Sequence, residues 1–484
     1  ENKDMPAEKK PMTKEMYLKQ LEQFGSVIDR AQNDILRLGY HLQPPVGWLN
    51  DPNGLCQIGN DYHIYFQYSP FNAEGGNGLW GHMTSQDLLH FQEHEPAVYP
   101  DCAWDQHGAY SGSAYEEDGI YYVFYTGNVK YTDKKYDYTT AGREQNVIPI
   151  TSRDGYNFTE KELLMTNDDF PEDMSKHVRD PQVIRRNWRY YMLLGARTLS
   201  DKGCVLLYES DDLRRWEYKL RFTTENPFGY MWECPNYAEI NGQGFLIACP
   251  QGLPSQGLDY ANTYQCGSFK LDYTFGETDY QIGEFRELDR GFDFYAPQIF
   301  QGRQGRTLLI GWMGMPDSGY DNAPTLKNGW QHCLTIPREL YLTKEGHPAQ
   351  RPIRELETIR GMGHEEHFTN TFSQNVSPLF DMELAFEKCE SFTLRIRENA
   401  LLSYDGDVLL LDISQCGRGR TTRGVRLQDI RNIRILSDSS TLELFINDGE
   451  EVFTTRIYDS MTGLSCEMKD AEARGTVTWY ELCP

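Results

Sequence analysis

The most restrictive feature of the sequence is a unit that recurs five times between residues 50 and 312. In each copy, a short motif of small and polar residues leads into a strand, a turn and a second, apolar strand. The second strands are rich in aromatic and β-branched residues and are bounded by turn residues, which is typical of short antiparallel strands. They lie at 62–68, 120–125, 190–194, 245–249 and 307–312.

One marker residue from each motif measures the period of this unit. Successive markers lie roughly 50 to 70 residues apart, which is about what four short strands and their loops require. Four-stranded sheets at this period are the blades of a β-propeller, so the sequence predicts five blades. The markers are Asp51, Ser111, Asp180, Glu233 and Tyr295.

A second pattern, S-x-D-x-x-x-[FW], begins at Ser85, Ser152 and Ser210 and follows a similar interval. Two patterns with one period favour a closed ring over an ordinary run of turns and strands. The first strand of every propeller blade lies beside the central channel. We therefore expect the five markers to face one pocket, although they are far apart in the chain.

The segments outside the repeat complete the predicted architecture. Residues 1–12 are rich in charged residues and contain two prolines, so we expect a frayed leader there. Apolar residues recur every three or four positions over 13–38, which predicts an amphipathic helix. Beyond about residue 345, alternating strands and a hairpin signal at 447–449 predict a β-sandwich. The predicted all-β fold has an N-terminal leader and short helix (1–39), a five-bladed β-propeller (40–344), a linker (345–352) and a C-terminal β-sandwich (353–484).

Composition limits the partners of this chain. Its 484 residues hold 47 Lys and Arg against 72 Asp and Glu, a net charge of −25, which argues against nucleic acid and anionic membranes. The absence of a long apolar run predicts no membrane-spanning helix. The 11 cysteines include no C-x-x-C pair and favour a reducing, cytoplasmic location. Because the chain begins at Glu1, secretion after removal of a signal peptide stays open.

The sequence predicts neither a cofactor nor a metal. Residues 76–81 spell G-x-G-x-x-G, but no amphipathic helix follows, so we interpret them as a propeller loop. Residues 364–367 (HEEH) are one residue short of a zinc-binding H-E-x-x-H, and we expect a solvated polar loop there.

Three of the five markers are carboxylates: Asp51, Asp180 and Glu233. Each alone could simply start a turn, but their recurrence at one point of the repeat favours a shared function. Two opposed carboxylates are what glycoside hydrolysis requires, and a third can bind the sugar and stabilise positive charge in the transition state. Four tryptophans near the motif loops offer faces for sugar rings: Trp48, Trp80, Trp104 and Trp312.

In its motifs the chain resembles glycoside hydrolase family 32, the group of invertases, β-fructofuranosidases and sucrose-6-phosphate hydrolases. The resemblance rests on WLNDPNG at 48–54, RDP at 179–181 and EC at 233–234, in that order. It extends from about residue 40 to the C-terminus and implies a five-bladed propeller followed by a sandwich. Supporting stretches are FQYSP at 66–70, WGH at 80–82, YSGSA at 110–114, FYAPQ at 294–298 and LTIPREL at 334–340.

The resemblance implies a role for each acid. Asp51 would be the nucleophile that attacks a terminal β-fructofuranosyl unit, and Glu233 would protonate the leaving oxygen and then activate water, with net retention. Asp180, beside Arg179, would bind fructose hydroxyls and stabilise the transition state. This division requires Asp51 to be ionised and Glu233 protonated at rest. Residues implied to line the substrate pocket are Trp48, Asn50, Gln67, Trp80, Tyr110, Ser111, Arg179, Tyr295 and Trp312.

Two residues depart from the common family pattern, and they leave fine specificity open. Tyr110 stands before Ser-Gly-Ser where Phe or Trp is usual, and Ser69 replaces Asn in Gln-Tyr-Asn-Pro.

The expected function is exo-acting release of fructose from sucrose or sucrose-6-phosphate, with a small sugar as partner. The N-terminal helix and reduced cysteines favour the bacterial enzymes of this kind. A fructan exohydrolase of the levanase or inulinase type is the alternative, with the same chemistry and a leaving-group pocket open to chains. The sequence leaves the oligomeric state open, and the sandwich offers faces through which a homodimer can form.

Two further alternatives are separable on chemical grounds. An inverting arabinan or xylan hydrolase on a similar propeller would hold its carboxyls about 8 Å apart, against about 5 Å for retention. A carbohydrate-binding propeller without catalysis would lack one of the three acids, and all three are present.

Overall fold

The computed structural model describes residues 11–484 and confirms the predicted all-β fold, a five-bladed propeller followed by a sandwich. Residues 1–10 of the predicted leader lie outside the described residues. The predicted N-terminal helix is divided into α1 (Lys14–Glu22) and α2 (Gly25–Gln32). The break at Phe24 allows its ring and that of Tyr17 to pack on Phe71, with ring centroids 4.9 and 5.7 Å away. Within residues 11–484, no helix has the length and apolar character needed to cross a membrane.

Five antiparallel sheets form the blades. The first holds β1 (Gly47–Ile58), β2 (Asp61–Ser69), β3 (Leu79–Ser85) and β4 (Gln92–Val98). The second holds β5 (Ala109–Glu117), β6 (Ile120–Lys130) and β7 (Arg143–Ser152). The third holds β8 (Met174–Arg186), β9 (Arg189–Thr198), β10 (Gly203–Ser210) and β11 (Glu217–Phe222). The fourth holds β12 (Met231–Ile240), β13 (Gln243–Gln251), β14 (Gly267–Tyr273) and β15 (Tyr280–Glu287).

The fifth blade begins with β16 (Tyr295–Gln301) and β17 (Thr307–Trp312). The chain then leaves the sheet through α3 (Ala323–Leu326) and β18 (Trp330–Gln331), and returns as β19 (Arg338–Leu342) and β20 (Pro348–Pro352). β18 pairs in parallel with β1, so the last part of the ring is joined to its first strand. Short 3₁₀ turns lie at Asn167–Asp169, Arg303–Gly305 and Arg354–Ile359.

The structure differs from the sequence prediction at the end of the propeller. Residues 345–352 were expected to be a linker, but β20 pairs with β19 as the outer strand of the fifth blade. An edge strand tolerates prolines at its ends, because no ladder hydrogen bond is lost there. The prolines at both ends of β20 made the sequence of this strand look like that of a linker. The other predicted domain boundaries stay predictions.

The S-x-D pattern makes a turn at the end of the third strand of the first three blades. In each, the serine hydroxyl accepts hydrogen bonds from the backbone N–H groups two and three residues on. The aspartate side chain accepts from the backbone N–H groups two and three residues after it. These side chains satisfy backbone donors that no strand pairs with, so the repeated pattern reflects repeated turn geometry.

The apolar core of the propeller lies between neighbouring blades. Val123 and Tyr125 of the second blade pack against Tyr65 and Trp80 of the first. Similar layers lie between the second and third blades and between the third and fourth. Because the core lies between the sheets, the innermost strands are free to present polar side chains to the central channel.

Ten strands build the C-terminal domain. They are β21 (Arg360–Thr369), β22 (Phe372–Asn375), β23 (Phe380–Ile396), β24 (Ala400–Tyr404), β25 (Val408–Asp412), β26 (Thr422–Arg426), β27 (Asn432–Asp438), β28 (Thr441–Ile446), β29 (Glu451–Arg456) and β30 (Ser465–Leu482). The long strands β23 and β30 pair along most of their length. The first part of β23 also pairs with β27 and its last part with β24, so this strand joins the two halves of the domain. The HEEH residues lie in β21 rather than in the expected loop.

Buried charges join the sandwich to the propeller. His41 contacts Asp438 at 2.7 Å and Glu443 at 2.5 Å, and Arg338 contacts Glu443 at 2.7 Å. All four side chains are fully buried. Breaking a buried pair leaves an uncompensated charge, which is strongly destabilising, so this cluster fixes the two domains relative to each other.

Candidate active site

The first strand of every blade carries a β-bulge at the same point. The ladder register shifts between Leu49 and Pro52, Ala109 and Gly112, Arg179 and Gln182, Glu233 and Asn236, and Tyr295 and Gln298. A bulge releases two residues from pairing and re-aims their side chains. The recurring motifs of the sequence are therefore five bulges around one channel.

The x-Pro dipeptides of three motifs follow from this geometry. Asp180, Cys234 and Ala296 have left-handed backbone conformations, with φ of 64°, 48° and 49°, and each precedes a proline. Proline has no N–H to give to the ladder, and within the bulge none is needed.

The bulges open into a cavity of about 690 Å³ at one end of the channel. Its size falls within the range of small-molecule sites. The structure brings all but one of the predicted catalytic and substrate-binding residues to its wall: Trp48, Asn50, Asp51, Gln67, Tyr110, Ser111, Arg179, Asp180, Glu233, Tyr295 and Trp312. Ser69, which departs from the family pattern, also lies on this wall.

Trp80 is the exception, and its predicted contact with substrate is not supported by its position. The side chain is fully buried between the first two blades, and its indole N–H donates to the carbonyl of Tyr110 at 2.9 Å. Trp104 packs against the same interblade core. Position near a loop did not reveal which face of the sheet each indole occupies.

Asp51 is held by two neighbouring side chains. Its Oδ2 accepts the Ser111 hydroxyl at 2.7 Å, and its Oδ1 accepts the Asn50 amide at 3.2 Å. Trp48 in turn donates its indole N–H to Asn50 at 2.8 Å. Burial raises the pKa of Asp51, the nearby charge of Glu233 adds to this rise, and the Ser111 and Asn50 hydrogen bonds oppose it.

Cys234 links Asp51 to Asp180. Its backbone N–H donates to Asp180 Oδ2 at 3.0 Å, and its thiol lies 3.4 Å from that oxygen and 3.6 Å from Asp51 Oδ2. Burial raises the pKa of the Cys234 thiol well above its usual value, so the thiol is a donor to carboxylates. Burial also raises the pKa of Asp180, to about 7, with Arg179 opposing the rise and the charges of Glu233 and Asp51 adding to it.

Glu233 has a different set of partners. Its Oε2 accepts from the Arg179 guanidinium at 2.9 Å, and its Oε1 accepts the Tyr295 hydroxyl at 2.7 Å and the Gln251 amide. Gln251 also contacts the Tyr295 hydroxyl at 3.3 Å. The side chain of Glu233 is thus fixed from both oxygens, on a bulge separate from that of Asp51.

An aromatic wall closes another side of the cavity. Trp48 and Trp312 lie 5.9 Å apart between ring centroids, and both contact the ring of His332 edge-on. The indole N–H of Trp312 and Nδ1 of His332 are buried without a hydrogen-bond partner among the described residues. The rings of Trp48, Trp312 and His332 therefore form one packed group on the cavity wall.

The sandwich contributes to the same cavity. Arg420 lines it and makes two hydrogen bonds to Asp293, at 2.8 and 2.9 Å, and one to Asn322 at 2.9 Å. The cavity wall is therefore complete only when the two domains are joined.

The sequence analysis did not identify four residues as part of the site. Cys234 and Gln251 donate hydrogen bonds to the acids, and Arg143 and Arg420 line the cavity. Gln251 ends a second strand rather than a motif, and Arg420 belongs to the other domain, so neither carries the signal of the repeat. Only Cys234 had a usable signal, since it occupies a marker motif.

Within residues 11–484, no group of three or more His, Cys, Asp or Glu side chains is arranged to hold a metal ion. The chemistry that the described residues can supply is that of carboxylates: two acids on separate bulges with different partners, and a third beside them. A propeller cavity with these acids and an aromatic wall defines a glycoside hydrolase.

Comparison with known proteins agrees with this class. The family described as "Glycosyl hydrolases family 32 N-terminal domain" matches residues 41–352, and "Glycosyl hydrolases family 32 C terminal" matches residues 355–480. The chain belongs to glycoside hydrolase family 32. A sucrose-6-phosphate hydrolase of Bacillus subtilis (strain 168) is 37% identical over 444 residues, covering 88% of this chain and 90% of that protein.

Solved structures share the whole architecture. Sucrose-6-phosphate hydrolase from Lactobacillus gasseri aligns with a TM-score of 0.87 at 29% identity, covering 96% of each chain. A mutant of a Bombyx mori GH32 β-fructofuranosidase, in complex with sucrose, aligns with a TM-score of 0.83 at 26% identity, covering 97% of this chain and 99% of that one.

Proposed function

We propose that the protein releases terminal β-D-fructofuranose from sucrose or sucrose-6-phosphate, with retention of configuration. The observation that carries this proposal is the placement of Asp51 and Glu233 in one cavity with separate partners. Asp51 is held by Ser111 and Asn50, which stabilise an anion, and Glu233 is held by Arg179 and Tyr295. Two carboxyls that are fixed independently can act as nucleophile and acid.

In the first step, Asp51 attacks the anomeric carbon of the fructosyl unit. The carbon–oxygen bond to the leaving sugar breaks as the Asp51 ester forms, and Glu233 gives its proton to the leaving oxygen. Arg179 holds the Glu233 carboxyl in place through an ion pair at 2.9 Å.

In the second step, Glu233 accepts a proton from water, which attacks the same carbon and frees Asp51 and fructose. Asp180 and Gln67 bind fructose hydroxyls from the cavity wall, and Asp180 stabilises the positive charge that develops on the ring. This positive charge opposes the burial that raises the pKa of Asp180, so the transition state favours the ionised form of Asp180.

The choice of sucrose and sucrose-6-phosphate is supported by the whole-chain likeness to sucrose-6-phosphate hydrolases. Fructan exohydrolases have the same architecture, and inulin and levan are the substrates that discriminate the two. We expect kcat/KM for sucrose-6-phosphate or sucrose to exceed that for the fructosyl ends of inulin and levan by at least about tenfold. A higher kcat/KM for either polymer would assign the protein to the fructan-degrading enzymes.

Trapping with methanol tests the stereochemistry. A fructosyl ester on Asp51 partitions between water and methanol, and retention gives methyl β-D-fructofuranoside, which NMR identifies before any isomerisation. The α anomer would instead indicate single-step inversion, the mechanism of the arabinan and xylan alternative.

We also propose a cytoplasmic location. All 11 cysteines are free, and six of them are buried. A chain with this many unpaired thiols suits a reducing compartment.

A further inference from the structure

Arg143, at the start of β7, has an unusual environment for a buried cation. The side chain lines the cavity and only 8% of the residue is exposed. Its Nη1 donates to Nδ1 of His177 at 2.9 Å, while its Nε has no hydrogen-bond partner among the described residues. Burial lowers the pKa of Arg143, and the charge of Arg179 lowers it further.

His177 does not compensate this charge. Its Nδ1 also accepts from Nη1 of Arg179, at 2.8 Å. Guanidinium groups can only donate, so Nδ1 is an acceptor and the ring is neutral. Burial and the neighbouring guanidinium groups lower the pKa of His177 to about 2, in agreement with this tautomer. Two guanidinium groups therefore share one uncharged acceptor.

Of these two cations, Arg179 forms an ion pair, whereas Arg143 forms none with any residue of 11–484. Arg179 makes an ion pair with Glu233 at 2.9 Å. A buried charge with an unused donor is costly unless an anion meets it. The planar guanidinium fork matches the oxygens of a phosphate group better than any other side chain does.

The position of Arg143 indicates which part of a substrate it meets. Arg143, His177, Arg179 and Glu233 form one hydrogen-bonded chain. Asp51 and Asp180 are joined to each other through Cys234 instead. Arg143 thus lies on the side of Glu233, and under the proposed function Glu233 faces the leaving sugar.

We propose that Arg143 is the anion-binding residue of the leaving-group subsite, where it holds the phosphate on the glucose half of sucrose-6-phosphate. This inference rests on the proposed function and narrows its substrate to the phosphorylated sugar. A phosphate ester carries close to two negative charges near pH 7, which a cavity rich in carboxylates repels unless a cation receives it.

The test compares two substrates in one variant. For Arg143→Gln, we expect the ratio of kcat/KM on sucrose-6-phosphate to kcat/KM on sucrose to fall by about 100-fold, the usual scale of a charged hydrogen bond. Arg143→Lys keeps the charge without the fork and should lose less of this ratio. Arg153→Gln is the matched control, since Arg153 is an exposed arginine just beyond β7, and its ratio should equal that of the wild type. Equal losses on both substrates would overturn the inference, because they indicate that Arg143 only positions Arg179 and Glu233.

A second measurement needs no variant. Glucose 6-phosphate should inhibit the wild-type hydrolysis of sucrose at least about tenfold more strongly than glucose does, and equal inhibition would contradict the subsite. Failure of the two proposals is distinguishable: a wild type that cleaves sucrose without any preference for the phosphorylated sugar removes only this inference. A wild type that releases no fructose from either substrate removes the proposed function as well.

Discussion

The Ser111 hydroxyl donates to Asp51 Oδ2 at 2.7 Å, across the gap between the first and second blades. This hydrogen bond stabilises the ionised form of a carboxyl whose pKa is raised by burial and by the charge of Glu233. A residue of one bulge thus controls the protonation of a residue on the next.

Ser111→Ala tests this control. Loss of the hydrogen bond should raise the pKa of Asp51 further, by about one unit if the bond contributes about 1.5 kcal/mol. Since Asp51 must be ionised to attack, activity is lost as pH falls through its pKa, and the acidic limb of kcat/KM should move to higher pH. Ser113→Ala is the control, because Ser113 donates to the carbonyl of Pro181 instead, at 2.8 Å. An acidic limb that stays in place in Ser111→Ala would contradict the assignment.

Asp51→Asn should abolish turnover while leaving the fold intact. Removal of a nucleophile typically costs at least about 10⁴-fold in kcat, whereas an amide of the same shape avoids the cost of a buried charge. Fructose release and the thermal midpoint measure the two effects, with the exposed Asp118→Asn as the control. Substantial fructose release by a folded Asp51→Asn protein is the result that would eliminate Asp51 as the nucleophile.

Tyr295→Phe should slow the step in which Glu233 gives its proton to the leaving sugar. The Tyr295 hydroxyl fixes Glu233 Oε1 at 2.7 Å, and a misplaced acid loses part of the roughly 10²-fold to 10⁴-fold that general acid catalysis supplies. We expect kcat on sucrose to fall by about 10-fold to 100-fold. The loss should be smaller for an aryl β-fructofuranoside, whose leaving group needs little protonation. Equal losses on both substrates would argue for a role other than positioning the acid.

His41→Gln should destabilise the protein by about 3 kcal/mol or more near pH 7, because Asp438 and Glu443 then share a buried site without their histidine. Burial alone would lower the pKa of His41, but Glu443 and Asp438 raise it to about 9. A raised pKa means that the histidine stabilises the fold fully below about pH 6.5, its value when unfolded, and that this contribution is lost as pH rises through about 9.

The urea midpoints of wild type and His41→Gln should therefore differ at pH 7 and converge near pH 10. His90→Gln is the control, since His90 makes an exposed contact with Asp87, and it should follow the wild type at both values. A constant difference between wild type and His41→Gln across this range would show that His41 contributes packing rather than charge.

The period of the chain predicted the ring and the residues at its centre, because every blade repeats one bulge within a short motif of small and polar residues. Prediction failed for segments outside the repeat, where only amino-acid composition and local periodicity were available. Because β20 contains Pro348 and Pro352, its composition predicted a linker. The interruption of the N-terminal helix at Phe24 accompanies a contact with Phe71, which is distant in sequence.

Side-chain direction is the second kind of information that the repeat lacked. Trp80 and Trp312 both lie near motif loops, yet Trp80 fills the space between blades while Trp312 faces the cavity. Gln251 and Arg420 reach the site through tertiary contacts alone, and a single sequence holds no local signal for those contacts.

Because the five bulges lie at the same point of their strands, the residues that line the cavity can change without rebuilding the ring. Each innermost strand keeps its ladder on either side of two released residues. Asp51, Ser111 and Asp180 are among the released residues, whereas Glu233 and Tyr295 are the last paired residues before their bulges. Replacing a bulge residue alters what the cavity binds or cleaves while the surrounding ladder stays paired. New specificities can therefore arise on this ring by single exchanges, with little loss of the rigidity that aligns the remaining groups.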